Sequence, residues 1–441
     1  MHRFFVRRLT VAFLVCTVSL LLSCAPTASA GTVPTPTPRP AAEIPVSAED
    51  CALDAEDLVA VLERTHPLFL TEPYPAAYLA ARETFLAGAP ACKTQADFRR
   101  AASLYLNSLN DGHTGVRRQS SAFSPRYAQI RIAAQANDLF LLDEDGRLTN
   151  VRVTSIGGAA TADVFAVIDA YFPAENEAAR DANHSDWATN ADVLALAGAA
   201  EGDAVAVLLE DGGQTRTQSV SFGAEPLLRT NYSDDTAISC EMDGDVFYID
   251  FNECDKGAAL KAVCKQLKAA LRGGVSKVII DARDNPGGDS GACKTLLETL
   301  GMRVPSYGCV IRYSPLANEQ RSYGQKSGTY VCEPSLDGAR KNSDVALCVL
   351  INDGTFSSAT MLAVWVQDGG LGTIVGYPSA NAPTSFGDIL TYTLPRTGVE
   401  VVMSHKQFRR PDANANQATL TPDVFVPYGE DAMPAALALL N

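Results

Sequence analysis

The sequence predicts an α/β protein: a core of βα units around a mostly parallel sheet, behind a small helical domain and a β-rich middle module. Three observations carry this. From about Ile238 onward, short apolar runs of strand length alternate with stretches of helical spacing. The run Val278-Ile279-Ile280 is continuous rather than alternating, as in a strand covered on both faces. Two strand-to-helix turns, Asp281 to Gly288 and Asn352 to Ser358, concentrate Gly, Asn and Ser where a parallel sheet presents its ligand-binding loops.

With 441 residues the chain is long enough for two or three domains and a sizeable core. A hydrophobic content of 46% and a charged content of 20% are those of a soluble globular protein. The formal net charge of -15 excludes nucleic acid as an expected partner, because phosphate backbones would be repelled.

Residues 1–24 read as a signal peptide. Arg3, Arg7 and Arg8 give a positive start, and Leu9 to Leu22 is an apolar run too short to span a bilayer comfortably. Leu21-Leu22-Ser23-Cys24 resembles a bacterial lipobox, which makes Cys24 the expected lipidated residue. Ala28-Ser29-Ala30 offers an ordinary cleavage site instead. Residues 25–47, rich in Pro and Thr, read as a tether with too little apolar content to pack. The expectation is an exported protein of the cell envelope that meets the membrane through a lipid anchor only.

Residues 48–115 form the expected helical domain. Ser47 with Asp50 is an N-cap signal, and Leu58, Val61, Leu62 and Thr65 follow helical spacing. A second helix starts near Thr94, with Phe98, Ala102, Tyr105 and Leu109 on one face. It is expected to stop at Asn110-Asp111-Gly112, which puts His113 just past a helix C-terminus. Residues 116–236 carry strand-like runs such as Ala204 to Leu208, one helical stretch near Ala162 to Tyr171, and turns rich in Gly, Asp and Asn. They suggest a β-rich, possibly PDZ-like module. Residues 237–441 are the βα core. Its elements are strands at Val246 to Ile249, Val278 to Ile280, Val345 to Ile351 and Thr373 to Val375. Between them come a helix face of Leu260, Val263, Leu267 and Leu271, a helix from Asp289 to Leu300, and another from Ser357 to Gln367.

Of 11 cysteines, nine lie beyond Cys16 and Cys24. No CxxC pair or Cys/His cluster has metal spacing, so neither a structural metal nor a cofactor is expected. Export permits disulfides, and Cys51–Cys92 and Cys309–Cys332 are the pairings suggested by position. Cys264, Cys293 and Cys348 read as small core residues.

Two glycines before a helix expose N–H groups at its positive end, so Gly287 and Gly288 can stabilise an anion. Ser357 places a hydroxyl at the start of the next helix. A nucleophile on one turn and donors on the other form the centre of an acyl-transfer site. Each has a plainer reading: Ser357 as a helix cap, and the glycines as a tight turn.

At these residues the sequence resembles the S41 peptidase family, the C-terminal-processing and tricorn-type serine proteases. Leu109-Asn110-Asp111-Gly112-His113-Thr114, Val278 to Gly288, and Gly354-Thr355-Phe356-Ser357-Ser358-Ala359 resemble three of its segments, in order and spacing. The resemblance implies a ClpP/crotonase-like core and peptide-bond hydrolysis through an acyl-enzyme. It implies Ser357 as nucleophile, with Ser358 and a glycine of the Gly287-Gly288 pair as the oxyanion hole. Asp388 stands where processing proteases carry a Lys base. The tricorn branch uses a His from the first segment, a position that His113 fits, although that branch has Ser where Gly112 stands. His405 and Lys406 rank behind His113 as bases, His66 and His184 behind those, and Asp412 and Gln417 are candidates for a third member. The expected partner is a peptide or protein substrate. A ligand-binding protein without catalysis, or a hydrolase of another acyl substrate, are the alternatives.

Overall fold

The computed structural model describes residues 44–117, 123–200, 202–227 and 238–441. The signal segment, Cys24 and nearly all of the tether lie outside the described residues. No helix among the described residues is long and apolar enough to cross a membrane.

Three helices come first: α1 (Ala48–Thr65), α2 (Ala76–Gly88) and α3 (Gln95–Asn107). The Ser47 hydroxyl caps α1 by accepting from Asp50 N–H, and Thr94 with Asp97 closes a capping box on α3. The helix α2 was not foreseen. Its first turn has neither a cap bond nor an acidic residue to mark it. The end of α3 also falls earlier than expected, at Asn107, and the chain turns at Asn110 with φ 48°. The three helices have no core to themselves. Leu58, Leu62, Phe98 and Tyr105 share a cluster with Leu390, Val401 and Met403 from a sheet far along the chain.

The middle region is a seven-stranded antiparallel sheet with α4 (Thr161–Tyr171), α5 (Glu177–Trp187) and α6 (Ala191–Leu196). It encloses its own cluster, including Val153, Ile156, Val164, Ile168 and Val207.

The core holds a six-stranded sheet. Its strands lie in the order Val424–Phe425, Thr373–Gly376, Ala346–Ile351, Lys277–Asp281, Val246–Phe251 and Ile238–Asp243. All neighbours are parallel except the last pair. Around the sheet lie α7 (Ala258–Arg272), α8 (Ser290–Thr299), α10 (Ser358–Asp368) and α11 (Met433–Leu440), while α9 (Pro315–Arg321) packs against the strand Ser385–Thr393. Val278, Ile279 and Ile280 are fully buried because α8 and α10 cover one face and α11 the other. A second, five-stranded sheet is built on Glu400–Arg409. That strand pairs with Ser385–Thr393, with Gly308–Arg312 and, antiparallel, with Gly115–Val116 just past His113. Thr114 Oγ1 also accepts from Ser404 N–H. The His113 segment is thereby stitched to the core sheet.

The nine described cysteines beyond residue 24 are all free thiols. Cys309 and Cys332 face each other across antiparallel strands without a bond, and Cys51 and Cys92 are likewise unbonded, so neither expected disulfide is formed. Cys264, Cys293 and Cys348 are core residues, as their apolar surroundings in the sequence suggested.

Candidate active site

The strand Lys277–Asp281 delivers the turn Ala282 to Asp289, and Ala346–Ile351 delivers Asn352 to Ser357. Polar side chains lock the two turns together. Thr355 Oγ1 donates to Ala282 O, Asn352 Nδ2 donates to Asp284 Oδ1, and Phe356 N–H donates to Asn285 O. A site built this way is fixed before any ligand arrives.

Ser357 sits at the N-cap position of α10 with φ 51° and ψ -120°, a left-handed conformation unusual for a residue with a Cβ. Its side chain makes no cap hydrogen bond. The plain reading of Ser357 as a helix cap therefore fails, and the hydroxyl is free to face the cavity. Strain of this kind is retained where neighbouring structure enforces it. Here the Ser357 N–H donates to Asn381 Oδ1 at 2.9 Å.

The glycine pair divides its tasks. Gly287, at φ 99°, packs so closely that an added Cβ would lie 2.6 Å from Ser357 Cβ and 2.9 Å from Ser358 N. Its own N–H is given to Asn285 Oδ1 at 2.8 Å, so it is not a free oxyanion donor. Among the described residues, neither Gly288 N–H nor Ser358 N–H donates to a protein acceptor. These are the two unclaimed donors beside Ser357.

A cavity of about 740 Å³ brings Ser357, Ser358, Gly288, His113, Phe356 and Lys406 together. His113, distant by 244 positions in sequence, is thus placed in the same cavity as Ser357. Its side chain is only 11% exposed, and neither ring nitrogen has a hydrogen-bond partner. No hydrogen bond therefore joins it to the Ser357 hydroxyl. Burial lowers its pKa below the ordinary histidine value, opposed by the charge of Asp111. His113 does not lie just past a helix C-terminus, since α3 ends six residues earlier, and the field of a helix end fades within a turn. The Asp111 carboxylate supplies the negative charge instead, with Oδ1 4.0 Å from His113 Nδ1. Burial would raise Asp111, but the hydrogen bond and charge of His66, the charge of His113 and the Thr114 hydroxyl hold it well below the usual carboxylate range.

Of two further residues at the site, His66 was set aside and Glu175 was missed from sequence. His66 is fully buried, and its Nε2 lies 3.0 Å from Asp111 Oδ2. Because its Nδ1 accepts from Leu68 N–H, the Nε2 proton points at the carboxylate. Glu175, from the bend between α4 and α5, accepts Gly112 N–H at 3.0 Å on Oε1. On Oε2 it accepts Asn381 Nδ2 at 2.7 Å and Ala382 N–H at 2.8 Å. Burial pushes Glu175 up to about 7; the Ala382 N–H bond counters, the Asp111 charge adds, and the Gly112 and Asn381 bonds counter again. Oxygens of Asp111 and Glu175 and a His113 ring nitrogen lie within 4.8 Å of one another. These atoms could reach a cation, but each carboxylate already accepts three N–H or O–H donors. An isolated Glu and an isolated His before Pro67 carry no motif that would have exposed either residue.

The other candidates are engaged elsewhere. His405 is fully buried, with Nδ1 bonded to Asp388 O and Nε2 2.8 Å from the Tyr323 hydroxyl. Lys406 lines the cavity, but its Nζ lies 2.7 Å from Asp388 Oδ2; burial would lower its pKa, and the Asp388 bond and charge raise it above the ordinary lysine value. It stays charged and cannot accept a proton. His184 stacks on Phe165 and bonds Asp169 within the middle region. Asp412 and Gln417 are not brought to His113. The Gln417 amide donates to Asp412 O and Ala415 O and accepts from Thr384, while Asp412 accepts Asn414 N–H.

Gly112, where the tricorn branch has Ser, fits against Phe356. A Cβ on Gly112 would press to 3.0 Å on the Phe356 ring, and that ring lies 4.8 Å from the His113 ring.

A hydroxyl on a strained βα turn, beside unclaimed N–H donors and a buried histidine, could support acyl transfer chemically. Residues 245–426 match the family model Peptidase_S41, described as peptidase family S41. The structure resembles mature CPAF complexed with lactacystin at 16% identity and a TM-score of 0.60, covering 89% of this chain and 97% of that one. It also resembles a serine-to-alanine mutant of CPAF at 14% identity and a TM-score of 0.59, covering 86% and 93%. The photosystem II D1 C-terminal processing protease matches at 15% identity and a TM-score of 0.46, covering 85% and 92%. No curated protein matches the chain in sequence. The family-model match over residues 245–426 supports a peptidase, and the likeness to CPAF is one of fold.

Proposed function

We propose that the chain is a serine peptidase that cleaves peptide bonds through an acyl-enzyme on Ser357, with His113 as general base. The observation that carries this is the shared cavity: a Ser357 hydroxyl free of cap bonds, a buried His113 without partners, and free Gly288 and Ser358 N–H groups.

A serine hydroxyl attacks poorly until a neighbour takes its proton. His113, kept neutral near pH 7 by burial, takes it as Ser357 Oγ adds to the substrate carbonyl. The developing oxyanion is held by the Gly288 and Ser358 N–H groups, and the imidazolium by Asp111. The imidazolium then protonates the leaving amine, and the acyl group stays on Ser357. Water, deprotonated by His113, repeats the addition and releases the second product. His113 must close on the hydroxyl when substrate enters, as catalytic hydrogen bonds commonly tighten in the substrate complex.

A fluorophosphonate probe tests the reading: it labels wild-type protein at Ser357, and labelling disappears in Ser357→Ala and falls sharply in His113→Ala. The missing hydrogen bond between His113 and the hydroxyl is the one observation that favours a ligand-binding protein without catalysis. Failure of the probe to label, together with retained peptide binding, would establish that second reading. Export and lipidation at Cys24 are part of the same proposal, supported by the charged start, the apolar run and the Pro/Thr tether. Mass spectrometry of the mature N-terminus should find a diacylated Cys24, and a free Gly31 amine would replace the anchor by simple secretion.

A further inference from the structure

The middle region reaches the site through three consecutive residues. Ala174 N–H donates to Asn110 Oδ1 at 3.2 Å. Glu175 accepts from Gly112 with one oxygen and from Asn381 and Ala382 with the other. Asn176 Nδ2 donates to Ser379 O and Ala418 O, both at 3.1 Å, while its Oδ1 caps α5 through Ala179 N–H. Between the loop that carries His113 and the turn that carries Ser357, Glu175 completes a continuous path of hydrogen bonds. Gly112 N–H bonds Glu175, Asn381 Nδ2 bonds Glu175, and Ser357 N–H bonds Asn381 Oδ1.

We propose that Glu175 is a positioning residue that clamps the His113 loop to the Ser357 turn, so that the middle region sets the geometry of the base and nucleophile. The inference rests on the Ser357 and His113 reading above.

The chemistry of the clamp calls for a carboxylate. All three partners are donors, and they divide between the two oxygens. A glutamine can accept on one side only, so its amide NH2 would oppose an N–H on the other. The amide oxygen would keep the side with two donors, Asn381 and Ala382, and its NH2 would then face Gly112 N–H. Glu175→Gln therefore frees the His113 loop and leaves the Ser357 turn supported. Glu175→Ala frees both. No Arg or Lys among the described residues forms an ion pair with Glu175, so its role is not that of a surface ion pair.

The experiment uses the full chain with Glu175→Gln, Glu175→Ala, His113→Ala and the double variant Glu175→Gln/His113→Ala. It measures kcat and KM on a peptide substrate, the rate of fluorophosphonate labelling, and the thermal midpoint. In the wild-type background, Glu175→Gln lowers kcat and the labelling rate by roughly 10- to 100-fold, because a base displaced by about 1 Å costs this much. KM changes by less than about threefold, since the cavity walls are kept. In the His113→Ala background the same substitution costs nothing further, because residues acting as one unit are not additive. A residue that only held the fold would lower the rate equally in both backgrounds, and that outcome overturns the proposal. So does a Glu175→Gln protein with wild-type kcat. If Glu175→Ala does not fold, Glu175→Gln carries the test, as it keeps the side-chain volume and two of three bonds. Full activity in His113→Ala overturns the general-base reading and this clamp with it. An inactive His113→Ala beside a fully active Glu175→Gln overturns the clamp alone.

Discussion

Replacing Ser357 separates its chemical task from its structural one. The hydroxyl makes no cap hydrogen bond, so Ser357→Ala deletes no interaction that holds α10. Its unfolding free energy should stay within about 0.5 kcal/mol of wild type, rather than dropping by the ~1 kcal/mol expected for a lost cap. Glycine acts differently. At φ 51° a residue with a Cβ is strained by roughly 1–3 kcal/mol, and glycine releases that strain. Its greater freedom in the unfolded chain takes back roughly 0.5–1 kcal/mol. Ser357→Gly should therefore be as stable as wild type or more stable, by up to about 2 kcal/mol, while both variants lose hydrolysis by roughly 10⁴- to 10⁶-fold. Urea unfolding with a rate assay on the same samples measures both. A drop of more than 1 kcal/mol in Ser357→Ala, or retained hydrolysis in either variant, would refute the assignment of the hydroxyl to chemistry and the strain to its presentation.

Further expectations concern the base and the close turn. His113 must be neutral to accept a proton, and burial holds its pKa below the ordinary 6.5; in Glu175→Gln, which removes the carboxyl that burial pushes up to about 7, the residual kcat/KM should be flat above pH 6.5 and fall only below it. A pH-rate profile with an acid midpoint above 6.5 would contradict this. Lys406→Met should keep activity within about tenfold and leave that acid limb in place, because a lysine held above its ordinary pKa by Asp388 is not a base; abolished hydrolysis would reinstate the lysine. Gly287→Ala would force its Cβ to 2.6 Å from Ser357 Cβ at a positive φ. Backbone strain of about 1–2 kcal/mol and overpacking of about 1–3 kcal/mol should together lower stability. Its hydrolysis should fall at least 100-fold, as measured beside wild type.

The parts of the fold that sequence made visible are those in which one local pattern decides the outcome. Val278 to Ile280 is uniformly apolar because the strand is covered on both faces, and the α3 stripe of Phe98, Ala102 and Tyr105 is apolar because one face is covered. The helix α5 is hard to see because its sequence, EAARDANHSDW, is mostly polar and buries only Ala178, Ala179, Ala182, His184 and Ser185, with no large apolar side chain among them. The strand Glu400–Arg409 carries Ser404, His405 and Lys406 at positions that face other elements rather than a plain core, so its alternation is blurred. At the site, Ser357, Gly288 and Ser358 stand in local turns whose chemistry is written in consecutive residues. His66 and Glu175 act through contacts 45 and 206 positions away, to Asp111 and Asn381, and no local pattern encodes such contacts.

The strand Glu400–Arg409 gives the protein a built-in order of completion. It pairs with the Gly115–Val116 segment beside His113, so His113 cannot be held in place until residues 400–409 are available. At a synthesis rate of about 5–20 residues per second, the interval between His113 and Arg409 is roughly 15–60 s. Throughout that interval Ser357 and its donors are either unmade or without a held base. On the Ser357–His113 reading, a nascent chain of this design would stay silent toward itself and its neighbours until residues 400–409 have been made and paired.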